Sequence, residues 1–166
     1  MAKTPILAAT LLATAMLTAT AHAEYLTGYI GWFDFIDNEE TATQFGVEYR
    51  FNPIEYGFRP MIGANVTTDG SLYGYGGFAW DVTLIDNQLY LVPNFAVGGY
   101  AQGDGKDLGH GLEFRSGIEM DYQFDNSHRV GIALNHISNA SLGDKNPGAE
   151  TILLNYSVPV GRIFGR

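Results

Sequence analysis

A chain of 166 residues is long enough for one domain, and its 18 Asp+Glu against 9 Lys+Arg exclude a surface built for nucleic acid, which must be basic. With no cysteine, the chain has neither disulfide staples nor thiolate chemistry. Its 21 glycines, 10 tyrosines and 10 phenylalanines favour strands over helices, for which long straight-chain residues are preferred.

In chain order, residues 1–23 read as a removable export signal. Lys3 supplies the positive start, Ile6 to Met16 an uncharged apolar run, and Ala21-His22-Ala23 the small-x-small pattern of a cleavage site. The run is too short and too rich in Ala and Thr for a spanning helix. The mature part, residues 24–166, reads as a single domain, and loss of Lys3 takes its net charge from −9 to −10.

After residue 23 no helical spacing persists, and period-two alternation recurs between turn signals. Eight strands are predicted, at 25–35, 41–51, 57–67, 71–84, 88–101, 111–123, 128–139 and 149–161. Strands of about 9–11 residues cross a bilayer when tilted, so these are long enough. In the second, Thr43, Phe45, Val47, Tyr49 and Phe51 oppose Gln44, Gly46, Glu48 and Arg50. In the sixth, Leu112, Phe114, Ile118, Met120 and Tyr122 oppose Glu113, Arg115, Glu119, Asp121 and Gln123.

Alternation alone does not say which face is inside. Polar faces carrying both signs of charge, outward Tyr and Phe near strand ends, and an even strand count after an export signal favour an all-β, eight-stranded antiparallel up-and-down transmembrane β-barrel of an outer membrane. Its short turns at 52–56, 86–87 and 125–127 then face the periplasm, and the longer connections 102–110 and 140–148 face outward. The rival is a soluble periplasmic carrier barrel with its apolar face inside. Outer-membrane barrels usually end in an aromatic residue, whereas Phe164 is followed here by Gly165-Arg166.

Of the three histidines after residue 23, His110 and His128 read as solvated loop or turn residues. His136 shares a strand face with Ser138, two residues on. If the last hairpin is symmetric about Gly143, position 136 lies opposite position 150, where opposed Cβ atoms are about 4.5–5.5 Å apart. A hydroxyl, an imidazole and the Glu150 carboxylate then converge on the outer wall near its extracellular rim. A serine nucleophile needs a base, and the base needs a third group to orient it. A polar cluster at the lipid–water boundary accounts for the same residues. The acidic stretch Asp104 to Asp107 reads as a solvated loop, with too few ligands for a dedicated calcium site.

His136-Ile137-Ser138-Asn139-Ala140 followed by Asn146-Pro147-Gly148-Ala149-Glu150 resembles the signature of the outer-membrane lipid A 3-O-deacylases, the PagL family. Leu108-Gly109-His110 and the stretch from Phe114 to Gly117 resemble the segment that precedes it, so the similarity spans residues 108–158. The resemblance implies a His136–Ser138–Glu150 triad, with Asn139 and Asn146 building or positioning an oxyanion hole. It implies a serine esterase acting on lipid A within lipopolysaccharide, among membrane lipids, with no cofactor. The competing functions are a non-enzymatic outer-membrane barrel and an esterase acting on a phospholipid. A homodimer through the lipid-facing wall is compatible with the sequence, which holds no motif for it.

Overall fold

The computed structural model describes residues 23–37, 40–85 and 88–163; all but the last residue of the export signal expected at 1–23, and the C-terminal Phe164-Gly165-Arg166, lie outside them. Nine strand segments, β1 (Tyr25–Phe33), β2 (Ala42–Arg50), β3 (Phe58–Thr67), β4 (Leu72–Trp80), β5 (Val82–Ile85), β6 (Leu89–Ala101), β7 (Leu112–Gln123), β8 (Arg129–Ser138) and β9 (Ala149–Pro159), make one antiparallel sheet. β1 pairs with β9, and β4 pairs with β6, so the sheet closes into a barrel of eight staves.

Three predicted strands are corrected. The first stops at Phe33 instead of 35, where Asp34 enters the left-handed region at φ 57°. The fourth is interrupted at Asp81, giving β4 and β5, although both hold one register on β6: Ala79 faces Asn94 and Val82 faces Leu91. The cause lies on the neighbour, because Pro93, with no N–H to give, occupies the intervening stretch. The last strand stops at Pro159 instead of 161, and the chain turns into a short helix, α1 (Val160–Ile163).

The faces fall as the alternation predicts, with the charges inside. Glu48, Arg50, Arg59, Glu113, Glu119, Asp121 and Arg129 are all buried, whereas Phe45, Val47, Ile118, Met120 and Tyr122 stand exposed on the outer wall. A carrier barrel would show the reverse. Burying unpaired charge is prohibitive, and here most of it is paired; Glu113 is the exception in this set, with neither carboxylate oxygen bonded among the described residues. Arg50 donates through Nε to Glu48 (2.7 Å) and through Nη2 to Glu119 (2.6 Å). Arg115 reaches the other Glu48 oxygen at 2.9 Å, and Arg59 and Arg129 share Asp81 Oδ2 at 2.8 and 3.0 Å. Tyrosines complete the fill: Tyr75 donates to Glu48 at 2.9 Å, and the Arg129 guanidinium stacks 3.9 Å over Tyr90.

The two ends of the barrel differ. At the short-turn end, paired rings ring the outside: Tyr49 with Phe51, Phe58 with Trp80, and Tyr122 with Phe124. His128 belongs to this belt and is no solvated turn residue, as it bonds the Tyr156 hydroxyl at 2.7 Å. At the other end the connections after β1, β3, β6 and β8 pack on one another. The Asp104 N–H meets the Asp69 carbonyl, Asn139 Nδ2 meets the Leu108 carbonyl, and the Phe35 N–H meets the Glu150 carbonyl.

Candidate active site

β8 and β9 pair with Arg129 opposite Ser157 and His136 opposite Glu150, a hairpin symmetric about position 143. Ile137 and Asn135 turn into the lumen, which puts His136 and Ser138 on the outer wall. His136 Nδ1 lies 2.9 Å from Glu150 Oε1, with the two side chains 46% and 26% exposed. A carboxylate only accepts, so this contact assigns the proton of a neutral ring to Nδ1 and leaves the Nε2 lone pair as a base.

Ser138 closes β8 on the same face, half-buried and paired across to Phe114 of β7. Among the described residues its hydroxyl makes no hydrogen bond to His136. Such contacts are commonly long before substrate binds and tighten in the reacting complex. The structure therefore brings His136 and Glu150 into contact and sets Ser138 beside them.

The two asparagines sit differently. Asn139 is fully buried, and its Nδ2 donates to the carbonyls of Leu108 and Lys145, each at 2.8 Å. Its own N–H goes to Asn146 Oδ1 at 2.9 Å. Asn139 is thus a tie between three loop segments, with its donors spent. Asn146 is exposed, and with Oδ1 held by that N–H its Nδ2 hydrogens are the donors the loop leaves over. Directly after Asn139 the chain reverses through Ala140 and Ser141, both in the left-handed region at φ 53° and 63°. Side chains rarely tolerate that conformation, and the Asn139 bonds hold it in place.

Several neighbours escape a reading by sequence spacing. Gly148 has φ +65°, and a Cβ there would stand 2.9 Å from His136 Cε1, so only glycine lets the loop lie against the imidazole. Ser116 of β7 is the register partner of His136 on the side away from Glu150, a second hydroxyl next to the ring. An apolar groove of about 410 Å³ runs beside the pair over Ser116, Ile118 and Leu134, and Phe35 and Ile36 of the β1–β2 loop wall it. Strand periodicity could locate the first three; the loop residues carry no period.

The acidic loop also departs from the solvated reading. Lys106 is 4% exposed, and its Nζ lies 2.6 Å from Asp34 Oδ1 of the β1–β2 loop, while Gly105 beside it packs against Asp69 and Ser71 of the β3–β4 connection. Carboxylate oxygens of Asp34, Asp37 and Glu150 come within 4.8 Å of one another beside it. Farther out, the Lys145 ammonium, then the Gly109 N–H, holds the exposed Asp107 carboxyl below its usual range.

A family model described as "Lipid A 3-O-deacylase (PagL)" matches residues 23–159. No curated protein matches the chain significantly. A solved structure described as the crystal structure of the outer membrane enzyme PagL superposes with a TM-score of 0.60 at 21% identity, covering 81% of this chain and 99% of that one. A chain from the de novo design of transmembrane β-barrels gives the same TM-score at 8% identity, over 86% of this chain and 100% of that one. At these identities the two structures speak for the fold.

Proposed function

Because the chain belongs to the lipid A 3-O-deacylase (PagL) family, outer-membrane ester hydrolases, we propose that it removes the 3-O-linked acyl chain of lipid A with Ser138, His136 and Glu150 as a catalytic triad. The observation that carries this reading is the 2.9 Å contact of His136 Nδ1 with Glu150, on the outer wall and next to Ser138.

In the proposed mechanism, Ser138 Oγ attacks the ester carbonyl while His136 Nε2 takes its proton. Glu150 holds the ring and stabilises the imidazolium that forms. The tetrahedral adduct expels the sugar alkoxide, which receives that proton, and leaves an acyl-serine. Water, deprotonated by His136, then attacks the acyl-serine and releases a fatty acid. Asn146 Nδ2 is our choice of side-chain donor to the oxyanion, with Asn139 placing it; backbone N–H groups of the 143–148 loop add to it.

Location fits a lipid substrate. The acyl chain need not leave its leaflet: the ester slides in laterally, and the groove walled by Phe35, Ile36, Ile118 and Leu134 accepts the hydrocarbon. A charged residue on a lipid-facing wall costs about 0–1 kcal/mol near the interface but about 2–4 at the midplane. His136 and Glu150 lie within two residues of their strand ends, at the end carrying the packed loops.

The test is mass spectrometry of lipid A from cells with and without the protein. Loss of one ester-linked acyl chain is expected. A lysophospholipid product in its place would move the reaction to another ester. Unchanged lipids, with no labelling of Ser138 by a serine-directed phosphonate, would leave a non-enzymatic barrel.

A further inference from the structure

Glu150 is asked to be an anion in poor company. Its Oε1 is committed to His136, its Oε2 is buried with no hydrogen-bond partner among the described residues, and the Asp34 and Asp37 carboxylates stand within 4.8 Å. Like charges at such range repel and push one member away. Displacing Glu150 would strip His136 of the group that orients it.

One cation answers them. Lys106 Nζ lies 2.6 Å from Asp34 Oδ1 and 3.8 Å from Asp37 Oδ2, with its side chain 5% exposed. A buried ion pair is weak evidence for stability, since desolvation offsets the attraction, and lysine is almost never buried without a specific partner. The pair is also tied to the site by the backbone. The Glu40 N–H bonds Asp34 Oδ2 at 3.1 Å, and the Phe35 N–H, next along the chain, bonds the Glu150 carbonyl at 3.2 Å. On its own loop Lys106 is fixed by the Tyr100 hydroxyl, which donates to its carbonyl at 2.8 Å. Among the described residues, the charged groups beside Glu150 are thus His136 from β8 and Asp34 and Asp37 from the β1–β2 loop, with Lys106 of the β6–β7 loop behind the two aspartates.

We infer that Lys106 is a positioning residue for the reaction: by neutralising Asp34 and Asp37 it keeps Glu150 aimed at His136. This rests on the triad reading above. Lys106 touches no reacting atom and acts only through the Asp34 and Asp37 carboxylates. It also makes the β6–β7 loop, far along the chain from β8 and β9, part of the catalytic apparatus.

The test uses the full protein in mixed micelles, assayed on lipid A and on a short-chain ester. Lys106→Met should lower kcat about 10–100-fold, the range seen when groups that orient a functional histidine are removed, with KM within about twofold. Lys106→Arg should restore most of the rate. Lys106→Met combined with Asp34→Asn, which removes one anion together with the cation, should recover much of it as well. A wild-type kcat in Lys106→Met overturns the inference. So does a loss that the double variant fails to recover, because the lysine would then act only as packing for the loop. If the wild type itself cleaves neither ester, the triad reading fails first and this one falls with it.

Discussion

Paired charges stand on both sides of the barrel wall, on β2 and β7 inside and on β8 and β9 outside, and the two sets are built on opposite principles. Inside, Arg50, Glu48 and Glu119 are no more than 2% exposed and nearly every oxygen and nitrogen has a partner. Outside, His136 and Glu150 are only partly covered, and a hydroxyl stands beside them with its hydrogen-bonding capacity unspent. Those three residues are inert because their lone pairs are taken; a site must keep some open. Access has to be weighed beside bonding, because Glu113 is unbonded at both oxygens among the described residues yet sealed inside the barrel.

Substitutions at the outer set should abolish catalysis and spare the fold. Ser138→Ala and His136→Ala are each expected to cut kcat by roughly 10⁴–10⁶-fold, with Glu150→Ala at the mild end of that range. The barrel should keep its heat-modifiable migration on gels. Ser116→Ala is the control: retention of activity there, with loss at Ser138, separates the two hydroxyls that flank His136. Full lipid A deacylation by Ser138→Ala would break the comparison.

Arg50→Met should do the converse. Removing one partner of a buried ion pair typically costs about 3–5 kcal/mol, read as a lower urea midpoint for unfolding from vesicles. The rate per folded molecule should stay near wild type. A variant of normal stability but lost activity would mean that the interior charges serve the chemistry.

A smaller effect is expected from Asn146→Ala, about 10²–10³-fold in kcat for one oxyanion donor, with stability unchanged. Asn139→Ala should lower stability and activity together, because its three bonds hold Leu108, Lys145 and Asn146 in one arrangement. Equal, purely catalytic losses at both positions would show that the division of labour drawn from their bonding is wrong.

How much of this could be read from residues alone depends on the range of the interaction. Alternation at Thr43–Phe51 and Leu112–Gln123 reports the two faces because neighbours two apart share a side whatever the rest of the chain does. The meeting of His136 with Glu150 follows from the midpoint of one hairpin. The interruption at Asp81 is harder, since its cause, Pro93, lies on the adjoining stave. The ammonium of Lys106 meeting Asp34, 72 positions away, is harder still. Loops have no period, so nothing local in Asp104 to Asp107 distinguishes a buried cation from a solvated one. Phe35 and Ile36 escape for the same reason, though they wall the groove.

Setting the imidazole on the wall instead of in the lumen makes the encounter two-dimensional. With the proposed triad there, the enzyme would sample only the lipids that brush past β7, β8 and β9, so the mole fraction of substrate in the surrounding film would govern the rate, more than its amount per volume. Inert detergent added at constant total substrate should therefore slow turnover, and crowding the leaflet with substrate should speed it until the groove is always filled.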